Sequence, residues 1–227
     1  MKLPKALHKR LSIMLAAHGY EPTGELGFVR RCAGVEIEHL LYFVVWGRSP
    51  RRVSVKFGFR LLDAEEFCVE SLINFGGPVY RKFRDQRSEV GMMCFSLGNA
   101  ANWKLDASLS ISAEDLPRSL QDLENALSIH VSPLVQTVVK PCDLFQVLSR
   151  DDDVFSWYST NAAARATQLL YLGERYGCSD SFGSIALKKH MKLIEGQVIR
   201  PQTADGYLSS VLASLRDRGH GAGQGKA

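Results

Sequence analysis

Apolar and polar residues alternate without a break from Arg52 to Leu61. Val53, Val55, Phe57, Phe59 and Leu61 take one side; Arg52, Ser54, Lys56, Gly58 and Arg60 take the other. A period of two sends successive side chains to opposite faces of a sheet, which predicts a half-buried strand. The preceding run alternates less cleanly: Val35, Ile37, Leu41, Phe43 and Val45 against Glu36, Glu38, Leu40, Tyr42, Val44 and Trp46. Gly47-Arg48-Ser49-Pro50-Arg51 lies between them and reads as a loop. A one-residue slip would turn every side chain to the wrong face, so the register can be argued. Setting Val45 opposite Val53, Phe43 opposite Val55, Leu41 opposite Phe57 and Ile37 opposite Leu61 matches apolar with apolar. The same register sets Arg60 opposite Glu38, Lys56 opposite Tyr42, Arg52 opposite Trp46, and His39 facing Phe59 on the buried side.

Patterning elsewhere is mostly helical. Leu3, Leu7, Leu11, Met14 and Leu15 describe an amphipathic helix that Gly19 ends. Glu25 to Ala33 reads as a further strand, so the chain opens as a helix followed by an antiparallel meander. Asp63 with Glu66 reads as a capping box opening a helix that runs to about Asn74. Residues 79 to 89 form a basic connector. Val90 to Leu97 and Lys104 to Ile111 read as strands. Ser112 with Asp115 opens a helix striped by Leu116, Leu120, Leu123, Leu127 and Val131, which Pro133 kinks or divides and Pro141 ends. Helices are then expected over 142 to 148, 161 to 176, 182 to 195 and 204 to 218. The expected class is α+β: an antiparallel sheet of about four to five strands with flanking helices, followed by an all-helical C-terminal part. The boundaries are 1–140 for the sheet part, 141–218 for helices packed on it, and 219–227 for a disordered, glycine-rich tail.

Composition narrows the class without naming a function. The chain has 227 residues, 45% hydrophobic and 23% charged, with a formal net charge of +4, as an ordinary globular protein has. Mild basicity permits an acidic partner and does not demand nucleic acid. No apolar run approaches membrane-spanning length, and the N-terminal Lys2, Lys5, Lys9 and Arg10 belong to an amphipathic helix rather than a signal peptide. Five scattered cysteines, never spaced C-x-x-C, read as small apolar residues in a reducing cytoplasm.

The order helix, Gly19-Tyr20, polar turn, Phe28-x-Arg30 and two long strands resembles a group of uncharacterised bacterial α+β domains, some of them near toxin–immunity loci. The likeness covers about residues 1 to 110. It implies a cytoplasmic protein that binds another protein, and it implies no catalytic residue.

Candidate chemistry is sparse. The six histidines are dispersed, no H-E-x-x-H, nucleophile elbow, phosphate loop or dinucleotide fingerprint occurs, and Asp151-Asp152-Asp153 reads as a solvated turn. No catalytic residue, metal or cofactor is expected. The remaining signal is cationic and aromatic. Arg48, Arg51 and Arg52 crowd the hairpin loop, Lys56 and Arg60 continue along the polar face, and Trp103 follows a turn-like Gly98-Asn99-Ala100-Ala101-Asn102. These six are the expected partner-binding residues of a non-enzymatic protein-binding module, an immunity protein whose basic patch meets an acidic partner surface. A nucleic-acid platform on the Arg52, Lys56, Arg60 and Trp46 face is the second reading; Glu36 and Glu38 on that face weigh against it. An enzyme with a non-local site, around His39 or His130 and nearby acids, is the third.

Overall fold

A computed structural model describes residues 5–31, 37–47, 51–75, 93–103, 108–112, 114–149, 162–178 and 203–221. Contacts divide the chain into two compact units, Met1–Arg60 with Glu89–Val139, and Leu61–Ser88 with Lys140–Ala227. The helix after the hairpin, expected with the sheet, belongs instead to the helical unit.

The first unit holds a six-stranded antiparallel sheet. Helix α1 spans Lys5–Ala17, and the strands are β1 Glu21–Pro22, β2 Gly27–Arg31, β3 Ile37–Trp46, β4 Arg51–Leu61, β5 Met93–Ser96 and β6 Leu109–Ile111. Gly19, at φ +79, turns the chain from α1 into β1, a left-handed conformation that a side chain disfavours. The strand expected over 25 to 33 is shorter, β2, with β1 folded back beside it (Glu21 opposite Val29). β1 to β4 are adjacent in chain order. Two side-chain contacts expected of the β3–β4 register are present: Arg60 bonds Glu38, and the His39 and Phe59 rings meet edge to face at 5.2 Å.

The odd-numbered residues of β4 make the core. Val53, Val55, Phe57, Phe59 and Leu61 are all at most 2% exposed. Leu7 and Leu11 of α1 share a cavity of about 20 Å³ with Phe43, Val53, Val55, Leu109, Leu120 and Leu123, so α1 and the helix after β6 cover this one face. Each such side chain contributes about 2 kcal/mol by leaving water.

β5 and β6 lie along the same edge of β4 and run in the same direction. β5 pairs residues 56 to 59 (Lys56 with Ser96), and β6 pairs residues 51 to 53 (Arg52 with Ser110). They amount to one edge strand interrupted between 97 and 108, and that interruption builds the groove described below. α3, Leu97–Ala100, opens it. After β6 comes α4, Leu116–Ala126, then a widened π-helical turn, Leu127–Val131, and α5, Ser132–Thr137. The expected start of α4 is realised: Ser112 Oγ accepts the Asp115 N–H at 3.0 Å and donates to the Asp115 carboxylate at 2.7 Å. Pro133 explains the division. Its missing N–H and its ring oppose an α-helical bond to the Ile129 carbonyl, and a widened turn just before it relieves the crowding.

The second unit, among described residues, is helical: α2 Leu62–Phe75, α6 Pro141–Ser149, α7 Ala162–Tyr176 and α8 Ala204–Gly221. Helix α2 begins at Leu62, so Asp63 sits inside its first turn rather than capping it. One Asp63 oxygen accepts the Ala64 N–H at 2.8 Å; the other accepts the Tyr171 and Tyr176 hydroxyls at 2.7 and 3.0 Å. The capping box expected of Asp63 and Glu66 thus gives way to a tie between α2 and α7. Arg218 of α8 bonds Glu70 and lies over the Phe67 ring at 5.1 Å. Thr167 and the buried Tyr207 share a hydroxyl bond of 2.6 Å. α8 extends three residues past the expected end at 218, to Gly221.

The cysteines correct the expectation of a wholly reduced chain. Cys142, near the start of α6, is joined by a disulfide to Cys178, just past the end of α7. Cys68 is a buried free thiol, and burial pushes it up to about 12, so it behaves as an apolar residue. The expected helix over 182 to 195, the connector over 79 to 89, the Asp151–Asp153 turn and residues 222 to 227 lie outside the described residues.

Candidate functional site

The even-numbered face of the hairpin carries a closed ion cluster. Glu38 is 8% exposed and accepts hydrogen bonds from the Nε atoms of Arg31 and Arg60, both at 2.7 Å. Burial alone would raise the Glu38 carboxyl; Arg60 first and Arg31 second outweigh it and hold the group below its ordinary 4.5. Arg60 is therefore committed to the fold rather than offered to a partner. Glu38→Gln should cost about 1–3 kcal/mol, since a buried charged acceptor is lost while its donors remain; urea unfolding with Arg60→Gln as the partner variant checks the coupling.

The other expected contact residues fall into one neighbourhood. Arg51 and Arg52 pair across to Ile111 and Ser110 of β6, and Lys56 pairs across to Ser96, the residue before α3. Arg51 and Arg52 point to opposite faces, because they are consecutive in a strand. Arg48 lies outside the described residues.

Trp103 sits in the interruption of the edge strand. The Ala101 N–H donates to Leu97 O at 2.9 Å, Asn102 N–H to Asn99 O at 3.1 Å, and Trp103 N–H to Gly98 O at 2.8 Å, which winds α3 into a tight loop. Asn102 takes φ +53, the left-handed conformation that asparagine tolerates better than most residues. Trp103 is thereby set, half-buried, on one wall of a groove of about 550 Å³. The other wall is the polar face of α4 and its π-helical turn, with Arg118, Asp122, Asn125, Ile129 and His130; Ser108 to Ser110 line it between. Their spacing of three or four residues puts Arg118, Asp122, Asn125 and Ile129 on one helical stripe. The widened turn itself carries Ile129 and His130, and both line the groove. Ile129 is a large apolar side chain left 65% exposed at the groove's edge.

The groove residues on α4 were not singled out by the sequence, because a polar stripe on an amphipathic helix looks like a solvated face. Pro133 inside a helical pattern, with a tryptophan-bearing turn close upstream, was the available signal. Of the two histidines considered for an enzyme, His130 lines this groove with Asp115 and Asp122, whereas His39 is fully buried. The His39 Nε2–H donates to Val138 O at 3.3 Å, and its Nδ1 has no partner among the described residues. No group of three or more metal-ligating side chains occurs among the described residues. No helix among them is long and apolar enough to cross a membrane.

Fold and site together define an α+β chain with an open, mixed-polarity groove built into a broken edge strand. Comparison with protein-family models, with curated proteins and with solved structures finds no match to this chain.

Proposed function

We propose that this chain is a non-enzymatic protein-binding module, of the toxin-neutralising kind implied by its resemblance to bacterial domains near toxin–immunity loci. The observation that carries the reading is convergence. Arg52 and Lys56 pair with the two strands that flank the interruption carrying Trp103, and the exposed Ile129 lines the same groove from the wall across it. Aromatic anchors in a groove with a charged rim are what a specific protein contact uses, the anchor for affinity and the rim for association rate and partner choice. Arg52 and Lys56 lie on the even-numbered face of β4, beside the groove rather than lining it, and that cationic surface suits a partner with an acidic surface. Arg60, held by Glu38, drops out of the contact set.

Affinity capture from the native host with nuclease treatment tests this. A stoichiometric protein partner that survives nuclease is expected, with capture reduced about tenfold by Arg51→Glu combined with Arg52→Glu. Unchanged capture by that variant would remove the proposed surface, and recovery of nuclease-sensitive material alone would turn the reading to nucleic acid. The cytoplasm is the compartment this reading takes. The Cys142–Cys178 bond stands against that compartment, because reducing thiols there open such bonds; acid-trapped alkylation in the host decides, closed cysteines placing the chain in an oxidising compartment and open thiols in the cytoplasm.

A further inference from the structure

We propose that the groove receives an extended segment of the partner polypeptide, with a lysine or arginine side chain laid across the Trp103 indole and paired with Asp122. The proposal rests on the protein-binding reading above and adds the chemistry of what enters the site.

Three observations lead there. The first is a set of unspent groups. Among the described residues the Trp103 indole N–H, the Arg118 guanidinium, the Asp122 carboxylate and the His130 ring make no hydrogen bond or ion pair, yet all four line one groove. Polar groups that the fold does not use and that converge on a concavity are the mark of a binding site. The second is sign. The groove holds two carboxylates and one guanidinium. One oxygen of Asp115 already accepts the Ser110 and Ser112 hydroxyls, at 3.3 and 2.7 Å, whereas neither oxygen of Asp122 accepts a bond among the described residues, which makes Asp122 the better acid for a ligand. A cation beside it would also meet the indole face, which attracts positive charge. The third is shape. The wall from Asp115 to His130 follows a helix for roughly 20 Å, a length that about six extended residues cover. An extended backbone alternates N–H and C=O, so Arg118 and His130 can donate to its carbonyls while the cationic side chain takes Asp122. The partner is thus an acidic surface carrying one protruding basic residue, opposite in sign to its surroundings, which gives selectivity that uniform charge would not.

Selection of a displayed random-peptide library on the immobilised full chain, followed by anisotropy with the enriched peptides, tests this. Enriched sequences should share a lysine or arginine, and Asp122→Ala and Trp103→Ala should each weaken binding about tenfold. Replacing that basic residue by norleucine should weaken wild type more than it weakens Asp122→Ala, because in the variant only the indole contact is left for the charge to lose. Circular dichroism checks that both groove variants fold. Failure to enrich any peptide, enrichment of acidic peptides, or binding as tight as wild type by both variants would overturn the proposal. Host capture separates the two readings: a partner held equally by wild type and Trp103→Ala removes the groove and leaves protein binding resting on the Arg51, Arg52 and Lys56 surface alone.

Discussion

Replacing both Cys142 and Cys178 by serine should destabilise the second unit by about 4 kcal/mol, and dithiothreitol should do the same to the natural chain. The bond joins residues 36 apart in sequence. Cross-linking a loop of that length removes chain entropy from the unfolded state, and the loss scales with the logarithm of loop length. The loop encloses two helices that already pack together: Arg165 of α7, 3% exposed, donates from Nε to the Leu148 carbonyl of α6 at 2.7 Å. The bond therefore closes over formed structure at the open ends of that pair. Cys178 is 5% exposed, so serine there also puts a hydroxyl into a nearly dry position. A melting temperature lower by roughly 10 °C is expected for a chain of this size. A change below about 1 kcal/mol would mean that the unfolded chain already holds α6 and α7 together, leaving the bond little entropy to remove.

That bond marks where local pattern stops being informative. The hairpin was legible because alternation, register and charge all agree at the same residues: Phe59 facing His39 and Arg60 facing Glu38 are two consequences of one pairing. The broken edge strand was half legible. Val90–Leu97 and Lys104–Ile111 read as separate strands, and only tertiary pairing shows that β5 and β6 continue one another along β4. Helix α2 shows the same limit from another side. Its stripe of Ala64, Phe67, Cys68 and Leu72 announces a buried face without saying what buries it. Asp63 and its two tyrosines, over a hundred residues downstream, tie it to α7. The Cys142–Cys178 pair carries no local signal, since its spacing fits no metal or redox motif. The groove was legible only at Trp103, through the turn before it. Its other wall depends on where the polar stripe of α4 faces, which sequence periodicity cannot supply.

Acid should weaken the first unit well before its carboxylates titrate, and His39 should be the cause. His39 lies fully buried on β3, edge to face with Phe59 and near Phe57. Burial pulls its pKa down from 6.5 to about 4; the bond to the Val138 carbonyl opposes this and the Arg30 charge adds to it. A base with a folded-state pKa below its unfolded value holds more protons when unfolded, so the proton drives unfolding. The stability is fully present above pH 6.5 and is lost progressively as the pH falls through 4, a total of about 3 kcal/mol. Glu38 acts in a separate window. Its carboxyl is depressed below 4.5, so its contribution is present above that value and fades at lower pH. His39→Gln keeps an N–H donor for Val138 and removes the titrating ring. Its urea midpoint should stay level between pH 6.5 and 5, where wild type falls, at the expense of some stability near neutrality from the poorer fit against Phe59. Parallel slopes in the two proteins would show that His39 is already solvated, or already charged, in the folded chain. The wild-type slope, if His39→Gln abolishes it, locates the acid sensitivity in the middle of the sheet rather than among the surface charges.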